Sequence, residues 1–451
     1  MGIDDPTAVS GGPAAGRPRS SMGAVFLTIF LDLAGFSIIF PLSPNLLEHY
    51  LAVEGRDGIL GGIIRFIEAA SPLALDDQVY TAALFGGILG SLYSLLQFLC
   101  APLWGSISDR RGRRPVLIIS IAGIAASHLL WALSGSFALF IAARLVAGAM
   151  GGNISVATAA AADMTSRENR AKAMGIVGAA FGLGFVFGPA IGGGLSRIDL
   201  AARFPGLAAY GVNPFSAAAL GALVLALANL ATVMLWFKET LAPGERRAAG
   251  TRGSASLLGF FRRSTISGVR TTILAYFIYL FAFSGMEFTL TFLAHERFGF
   301  GPRENMWLFI FVGVIMAIIQ GGLVRRIVPR LGERRTAILG ISALLPGFVI
   351  LGCTTSIAVL YAGLAFLGVG SGLMQPAMTS LASLYAPSDR QGEVMGAFRS
   401  LGAFSRILGP LAATVIFWRF GSAWPYVTGA VILLAPLILV ASLPLPSKVQ
   451  K

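Results

Sequence analysis

Five ionisable side chains lie where such groups are costly. Asp32, Arg144, Glu287, Arg399 and Arg406 all fall inside long apolar stretches, and a charge there is expensive unless it is paired or serves a ligand. Asp32 is about ten residues into the first stretch, ~15 Å from its start at 1.5 Å per residue. Burial and a nearby cation act on a carboxyl in opposite senses, so a group placed there can be poised to take up and release a proton. The structural alternative for Asp32 is a salt bridge or hydrogen bond, with Arg144 as a partner. Glu287 lies deeper, in the seventh stretch, and its counter-charges would be Arg399 and Arg406 in the eleventh. Those two arginines are seven residues apart, two turns, and so share a helix face. Arginine does not lose its proton in a protein, so the pair demands anions. Glu287 answers one; Asp32 or a substrate carboxylate would answer the other. A planar guanidinium grips a carboxylate through two parallel bonds, which suits an anionic ligand. A static network locking the two helices is the competing reading.

Uncharged polar groups are the next tier. Gln97, Asn153, Gln320 and Gln375 lie within apolar spans and suit either a cavity lining or a bond between helices. Tyr279, with Tyr276, Phe281, Phe283 and Phe288 around it, would give an amphipathic substrate an aromatic surface, although lipid-facing packing explains most of these as well. His128 is a lone histidine and reads as a satisfied polar residue. None of the four lysines follows a glycine, which rules out a Gly-Lys-Ser/Thr phosphate loop, and no His-Glu-x-x-His zinc motif occurs. No metal or organic cofactor is expected. The energy would come from an ion gradient, with a proton as coupling ion, or from the substrate's own gradient.

The elements that position these groups are membrane helices. Of 451 residues, 55% are apolar and 12% charged, against about 25% charged in soluble domains, and the mean hydropathy is +0.77. Lipid must therefore be the outer solvent. Spans of about 20 mostly apolar residues are expected at 22–47, 79–104, 115–134, 137–162, 173–195 and 214–237. Six more follow at 271–295, 303–324, 335–353, 356–385, 393–418 and 423–444. The basic interval 238–270 is read as a linker between two six-helix halves, 22–237 and 271–445, with Leu257–Arg263 as a surface-lying amphipathic stretch. Residues 1–21 read as a disordered tail with no cleaved signal, and 446–451 as a short C-terminal tail. The long interval 48–78 is expected to hold a short interfacial helix at Gly61–Ala70. Cys100 and Cys353 lie in apolar runs and imply no disulfide framework.

Basic residues set the orientation. The side holding both termini carries 24 Lys/Arg and the other side 7, so both termini are expected in the cytoplasm. The net charge of +13 is thus a topology signal. Spread over short loops, it does not suit nucleic acid.

The halves repeat. Met174-Gly175 and Gly188-Pro189 match Met395-Gly396 and Gly409-Pro410 at an offset of 221, and the loop glycines Gly112 and Gly332 differ by 220. Paired halves with a site at their interface are a common transporter plan. Within these repeats, Gly105-Ser-Ile-Ser-Asp109-Arg110-Arg111-Gly112-Arg113-Arg114-Pro115 resembles the signature between helices 2 and 3 of the major facilitator superfamily, and Arg144-Leu-Val-Ala-Gly148 its helix 4 motif. Asp32-Leu-Ala-Gly35 with Pro41-Leu-Ser-Pro44, and the Gly-rich run Gly178–Gly193, are similar to motifs of its drug/proton antiporters. Glu287–Phe298 and Arg399–Pro410 resemble the tetracycline-transporter-like (TETRAN) branch.

That resemblance implies an all-α membrane protein of the major facilitator fold, with twelve transmembrane helices in two pseudo-symmetric six-helix bundles. It implies a multi-pass inner-membrane carrier, not an enzyme, that works by alternating access as a monomer in the bilayer. The expected activity is proton-coupled efflux of amphipathic organic anions. Export of cationic or zwitterionic drugs is the alternative, and a non-transporting receptor or lipid-handling protein is the reading from another class. Asp32 and Glu287 would then couple protons. Arg406 and Arg399, with Gln97, Asn153, Gln320, Gln375 and Tyr279, would meet substrate. Asp109, Arg113, Gly105, Gly112, Arg144, Gly188 and Pro189 would serve the conformational switch, with Asp109 and Arg113 as a latch between the halves. The second loop carries arginine where the first has Asp109, so such a latch exists only once.

Overall fold

The computed structural model describes residues 22–55, 58, 60–63, 65, 78–165, 170–241, 268–386 and 391–444. Every regular element among them is helical. In a hydrocarbon surround, each backbone N–H and C=O must be satisfied inside its own segment, which leaves the helix as the available single-segment form. Twelve helices are long and apolar enough to cross a membrane. They are α1 (Met22–Glu54), α4 (Phe137–Asp163) and α8 (Pro302–Leu331); α2 (Gln78–Arg111), α3 (Arg113–Ala132), α5 (Arg170–Leu195) and α6 (Ser216–Leu235); α7 (Val269–Phe298), α9 (Glu333–Gly352) and α10 (Ile357–Tyr385); and α11 (Gln391–Phe420) and α12 (Trp424–Ser442).

Several spans outrun the expected ends, the first, second and eighth most, the eighth running to Leu331. The first was expected to stop at 47, but a 3-10 turn at Phe40–Leu42 absorbs Pro41 and the helix resumes through Glu54. Proline is tolerated there because the first turn of a helix needs no N–H donor. The second was expected to stop at 104, yet Gly105 to Arg111 stays helical. Polarity ends the apolar run there but not the helix. The chain breaks at Gly112, whose φ of +101° a side-chain-bearing residue rarely adopts. Gly332, at φ +79°, makes the matching one-residue break between α8 and α9. The proposed surface stretch Leu257–Arg263 lies outside the described residues, as does most of the 61–70 segment.

The helices pair by the same rule in each half. In the first, α1 packs on α5 and α6, and α3 on α4 and α6; in the second, α7 packs on α11 and α12, and α9 on α10 and α12. The principal joints between halves are α2 with α11 and α5 with α8. The α1–α5 and α7–α11 seams are built alike. Ser37 Oγ donates to the Gly184 carbonyl at 3.0 Å, and Ser284 Oγ to the Ser405 carbonyl at 3.2 Å. A Cβ on Gly188 would fall 2.0 Å from Ser37 Oγ and 2.3 Å from the Ala34 oxygen; one on Gly409 would fall 2.2 Å from Ser284 Oγ and 2.5 Å from the Phe281 oxygen. Small residues at these points let the backbones touch.

Candidate functional site

In the first half, α1 carries Asp32 to the centre of a polar knot. Its Oδ1 accepts a 2.6 Å hydrogen bond from Asn153 Nδ2, and both side chains are buried. Asn153 begins the second segment of α4, just after the break at Gly151–Gly152, and its Oδ1 caps the Ile154 N–H at 2.8 Å. Gln97 of α2 donates to the Gly151 carbonyl at 3.0 Å. Trp104 lies against Gly152 and donates from Nε1 to the Ala149 carbonyl at 2.8 Å. Gln97 therefore satisfies a backbone oxygen freed by the α4 break, which is the helix–helix role rather than the cavity role.

Arg144 does not pair with Asp32. Its guanidinium lies over the Tyr93 ring, 4.8 Å from the centroid, and 5.9 Å from that of Phe36. A buried guanidinium is less tightly hydrated than an ammonium and stacks on aromatic faces, so Tyr93 does what a carboxylate was expected to do. Tyr93 was not singled out from sequence. An uncharged ring in an apolar run carries no local signal, and only the fold brings α2 across α4.

In the second half, Glu287 of α7 and Arg406 of α11 meet at 3.9 Å. The side chains are 20% and 34% exposed, so the pair is accessible and not sealed in a core. On its other side Arg406 faces the ring of Phe185, 5.1 Å from the centroid. Phe185 belongs to α5 of the first half and sits 221 positions before Arg406, at the equivalent place of the repeat. The two equivalent positions thus confront each other across the midline, one aromatic and one cationic. Phe185 in turn packs against Phe36 and Phe40 of α1, and Phe40 against Phe309 of α8. The result is a guanidinium flanked by a carboxylate and an aromatic wall, suited to an amphiphile with an acidic end.

The remaining predicted residues scatter around this pair. Arg399 is exposed, two turns from Arg406 on the same helix. Gln375 lies beside the Tyr276 hydroxyl. Tyr279 is fully buried against Tyr276 and Phe283 and is closed to ligand in this conformation. Gln320 falls within a π-helical turn, Ile319–Leu323, a local widening frequent at functional sites. A surface depression of about 520 Å³ lined by Arg297, Phe298 and Gly352–Thr355 lies ten residues, about 15 Å, further along α7 and is separate from the Glu287–Arg406 pair.

Asp109 and Arg113 form a hub inside one half. Arg113 reaches Asp109 at 2.7 Å, Asp163 of α4 at 2.9 Å and Ser108 Oγ at 2.6 Å. Glu239, past the end of α6, accepts from the backbone N–H groups of Arg113 and Arg114 at 2.9 and 3.1 Å. These partners belong to the first half or, for Glu239, to the start of the linker, and none to the second half, so in this conformation the cluster ties α2, α3, α4 and the exit of α6 together. Glu239 and Asp163 were not singled out from sequence; an acid just past the end of an apolar span carries no local mark of its role. Gly105 faces open space. Pro189 is carried inside α5 without ending it.

The halves are joined from mid-membrane toward the end remote from Met22 and Pro444. Ser91 Oγ donates to the Ile407 carbonyl at 2.8 Å, and Gly90 lies under the Phe288 ring. Further out, Tyr80 donates to Glu296 at 2.5 Å, His295 meets Glu48 at 2.8 Å, and Asn305 reaches the Pro41 carbonyl at 3.5 Å.

Comparison with known proteins agrees with this architecture. The family model described as Major Facilitator Superfamily matches residues 25–410 and 326–451. Human major facilitator superfamily domain-containing protein 10 is 36% identical, over 96% of this chain and 95% of its own length. The solved structure of the human organic anion transporter MFSD10 (TETRAN) superposes with a TM-score of 0.74, covering 93% of this chain and 98% of that one. The class C tetracycline resistance protein of Escherichia coli is 29% identical over 93% of this chain and 96% of its own length. With twelve spans, paired halves and these full-length similarities, the chain belongs to the major facilitator superfamily of membrane transporters.

Proposed function

We propose that this transporter exports amphipathic organic anions in exchange for protons by alternating access, with both termini in the cytoplasm. The observation that carries the reading is the setting of Arg406, held between the Glu287 carboxylate and the Phe185 ring at the junction of the halves. A substrate carboxylate would displace Glu287 from the guanidinium and lay its apolar body along Phe185, Phe36 and Phe40. Displaced from its cation, Glu287 would take up a proton as the anion arrives and release it when the anion leaves and the ion pair re-forms, so net exchange would rest on Asp32. Asp32 is the second proton carrier. Ionised, it accepts from Asn153 at the α4 break; protonated, it loses the charge that makes that bond strong. Similarity to the human organic anion transporter MFSD10 supports the substrate class. The charge count supports the orientation and a multi-pass inner-membrane location.

The test is flux into proteoliposomes under a pH gradient, paired with ligand binding by thermal shift across carboxylate, zwitterionic and cationic amphiphiles. Carboxylates should stabilise the protein, and Arg406→Gln should abolish that stabilisation. Asp32→Asn should abolish gradient-driven flux while ligand binding survives. Stabilisation by cations alone would reject the anion reading and favour cationic or zwitterionic drugs held by Asp32 and Glu287.

A further inference from the structure

The far ends of α1 and α7 hold a charged constellation that substrate binding does not use. His295, near the end of α7, faces the first half. Its Nδ1 lies 2.8 Å from the Phe300 carbonyl oxygen and its Nε2 lies 2.8 Å from Glu48 Oε1 on α1. A carbonyl oxygen only accepts, so Nδ1 carries a hydrogen. A neutral imidazole then has a bare lone pair at Nε2, facing a carboxylate oxygen that also only accepts. That contact is repulsive unless one more proton is present, on Nε2 as imidazolium or on Glu48 as the acid. The geometry therefore fixes a proton count: the joined pair holds one proton more than a neutral histidine and an ionised glutamate standing apart.

The joint also spans the two halves. Beside it, Tyr80 of α2 donates to Glu296 Oε1, the neighbour of His295 on α7. Among the described residues, the other charged or polar groups here are turned elsewhere or neutral. Asn45 of α1 approaches the second Glu48 oxygen at 3.5 Å. Arg297 is directed to the Thr354 carbonyl and Ser422. From the α7–α8 turn, Arg303 is exposed and Glu304 is bound to the Gly301 N–H. His295 and Glu48 are 18% and 32% exposed, so protons reach them from the far side.

We infer that Glu48 and His295 form a proton-operated bolt that holds the far side of the transporter shut, engaged when the pair has bound a proton and released when it has lost one. This rests on the alternating-access reading and adds to it the control of one gate. A proton arriving from the far side favours the conformation described here. Because the closed form holds one extra proton, the open-to-closed ratio rises with pH. The slope approaches about tenfold per unit once separated imidazoles are neutral.

The experiment uses the full chain in nanodiscs, with Cys100 and Cys353 replaced by serine and spin labels on two introduced cysteine pairs. Ile198→Cys with Ile357→Cys reports the far ends of the two halves, and Ile107→Cys with Leu384→Cys reports the opposite face; all four sites are exposed. Pulsed dipolar distances are recorded from about pH 5.5 to about pH 8.5, the range across which histidine ordinarily changes charge. The far-end pair should lengthen with rising pH while the opposite pair shortens. Glu48→Gln should remove the slope and keep the far end shut throughout, because the amide can donate to the bare Nε2 without a proton. His295→Phe should also remove the slope, with the far end open more of the time. If both pairs move reciprocally but Glu48→Gln keeps the wild-type slope, the bolt is wrong and alternating access stands. If neither pair moves at any pH in any variant, both readings fall.

Discussion

Replacing Gly188 by alanine tests the equivalence of the two seams and the rigidity of each half. The added Cβ would sit 2.3 Å from the Ala34 carbonyl oxygen and 2.0 Å from Ser37 Oγ. Ser37 can rotate away, but the Ala34 oxygen belongs to a helix backbone and cannot. Reaching an ordinary contact of 3.4 Å or more requires α1 and α5 to part by roughly 1 Å, and overpacking of this kind costs about 1–3 kcal/mol. Parting also lengthens the 3.0 Å bond from Ser37 to the Gly184 carbonyl, a buried bond between membrane helices worth about 0.6 kcal/mol on average. The expected loss is about 2–3 kcal/mol on these two terms. Gly409→Ala should cost a similar amount, since its Cβ meets the Phe281 oxygen at 2.5 Å in the equivalent seam. Gly182→Ala is the control: it lies on the same α5, with nothing within 4 Å of its Cβ position. Thermal unfolding of the purified protein, followed by tryptophan fluorescence, should show both seam variants several degrees below wild type and the control unchanged or higher. Adding Ser37→Ala to Gly188→Ala should not restore stability, because the carbonyl remains. A seam variant as stable as the control would refute the reasoning.

Two further outcomes follow from the geometry. Arg113→Gln should strip the only described cation from Asp109 and Asp163; both carboxylates keep contact with solvent, so the loss is about 1–2 kcal/mol, and Arg113→Lys, lacking the guanidinium fork, should fall between it and wild type in yield of monodisperse protein. Phe185→Leu keeps an apolar wall but removes the ring from Arg406. A cation–π contact at a partly exposed site is worth about 0.5–1 kcal/mol, so the affinity for a carboxylate amphiphile should fall a few-fold, and unchanged affinity would show that the ring takes no part.

The charged residues were visible in sequence because each stands alone in an apolar run, where nothing but function or pairing justifies it. The Glu287–Arg406 pair was readable for that reason: two helices each held a charge that had to be answered. Their true setting was not. Phe185 is one phenylalanine among 32, and nothing local marks it as the ring that faces Arg406. Arg144 was matched to the nearest plausible acid, whereas folding offered it Tyr93 and gave Asp32 to Asn153. Helix ends were misplaced where hydropathy and helicity part company, as at Gly105–Arg111, since polar residues continue a helix into the interface as readily as apolar ones.

Twelve spans, two halves and an offset of 221 residues were determined by the sequence by itself, because lipid imposes a length and a hydropathy on every crossing and a repeat survives as periodic glycines. The pairing of polar groups was decided only by the tertiary structure. Which side chain answers Arg144, why Gln97 serves the α4 break, and why His295 and Glu48 must share a proton all depend on distances of 3 to 5 Å between residues far apart in the chain. Helix packing sets those distances, and no local pattern records them.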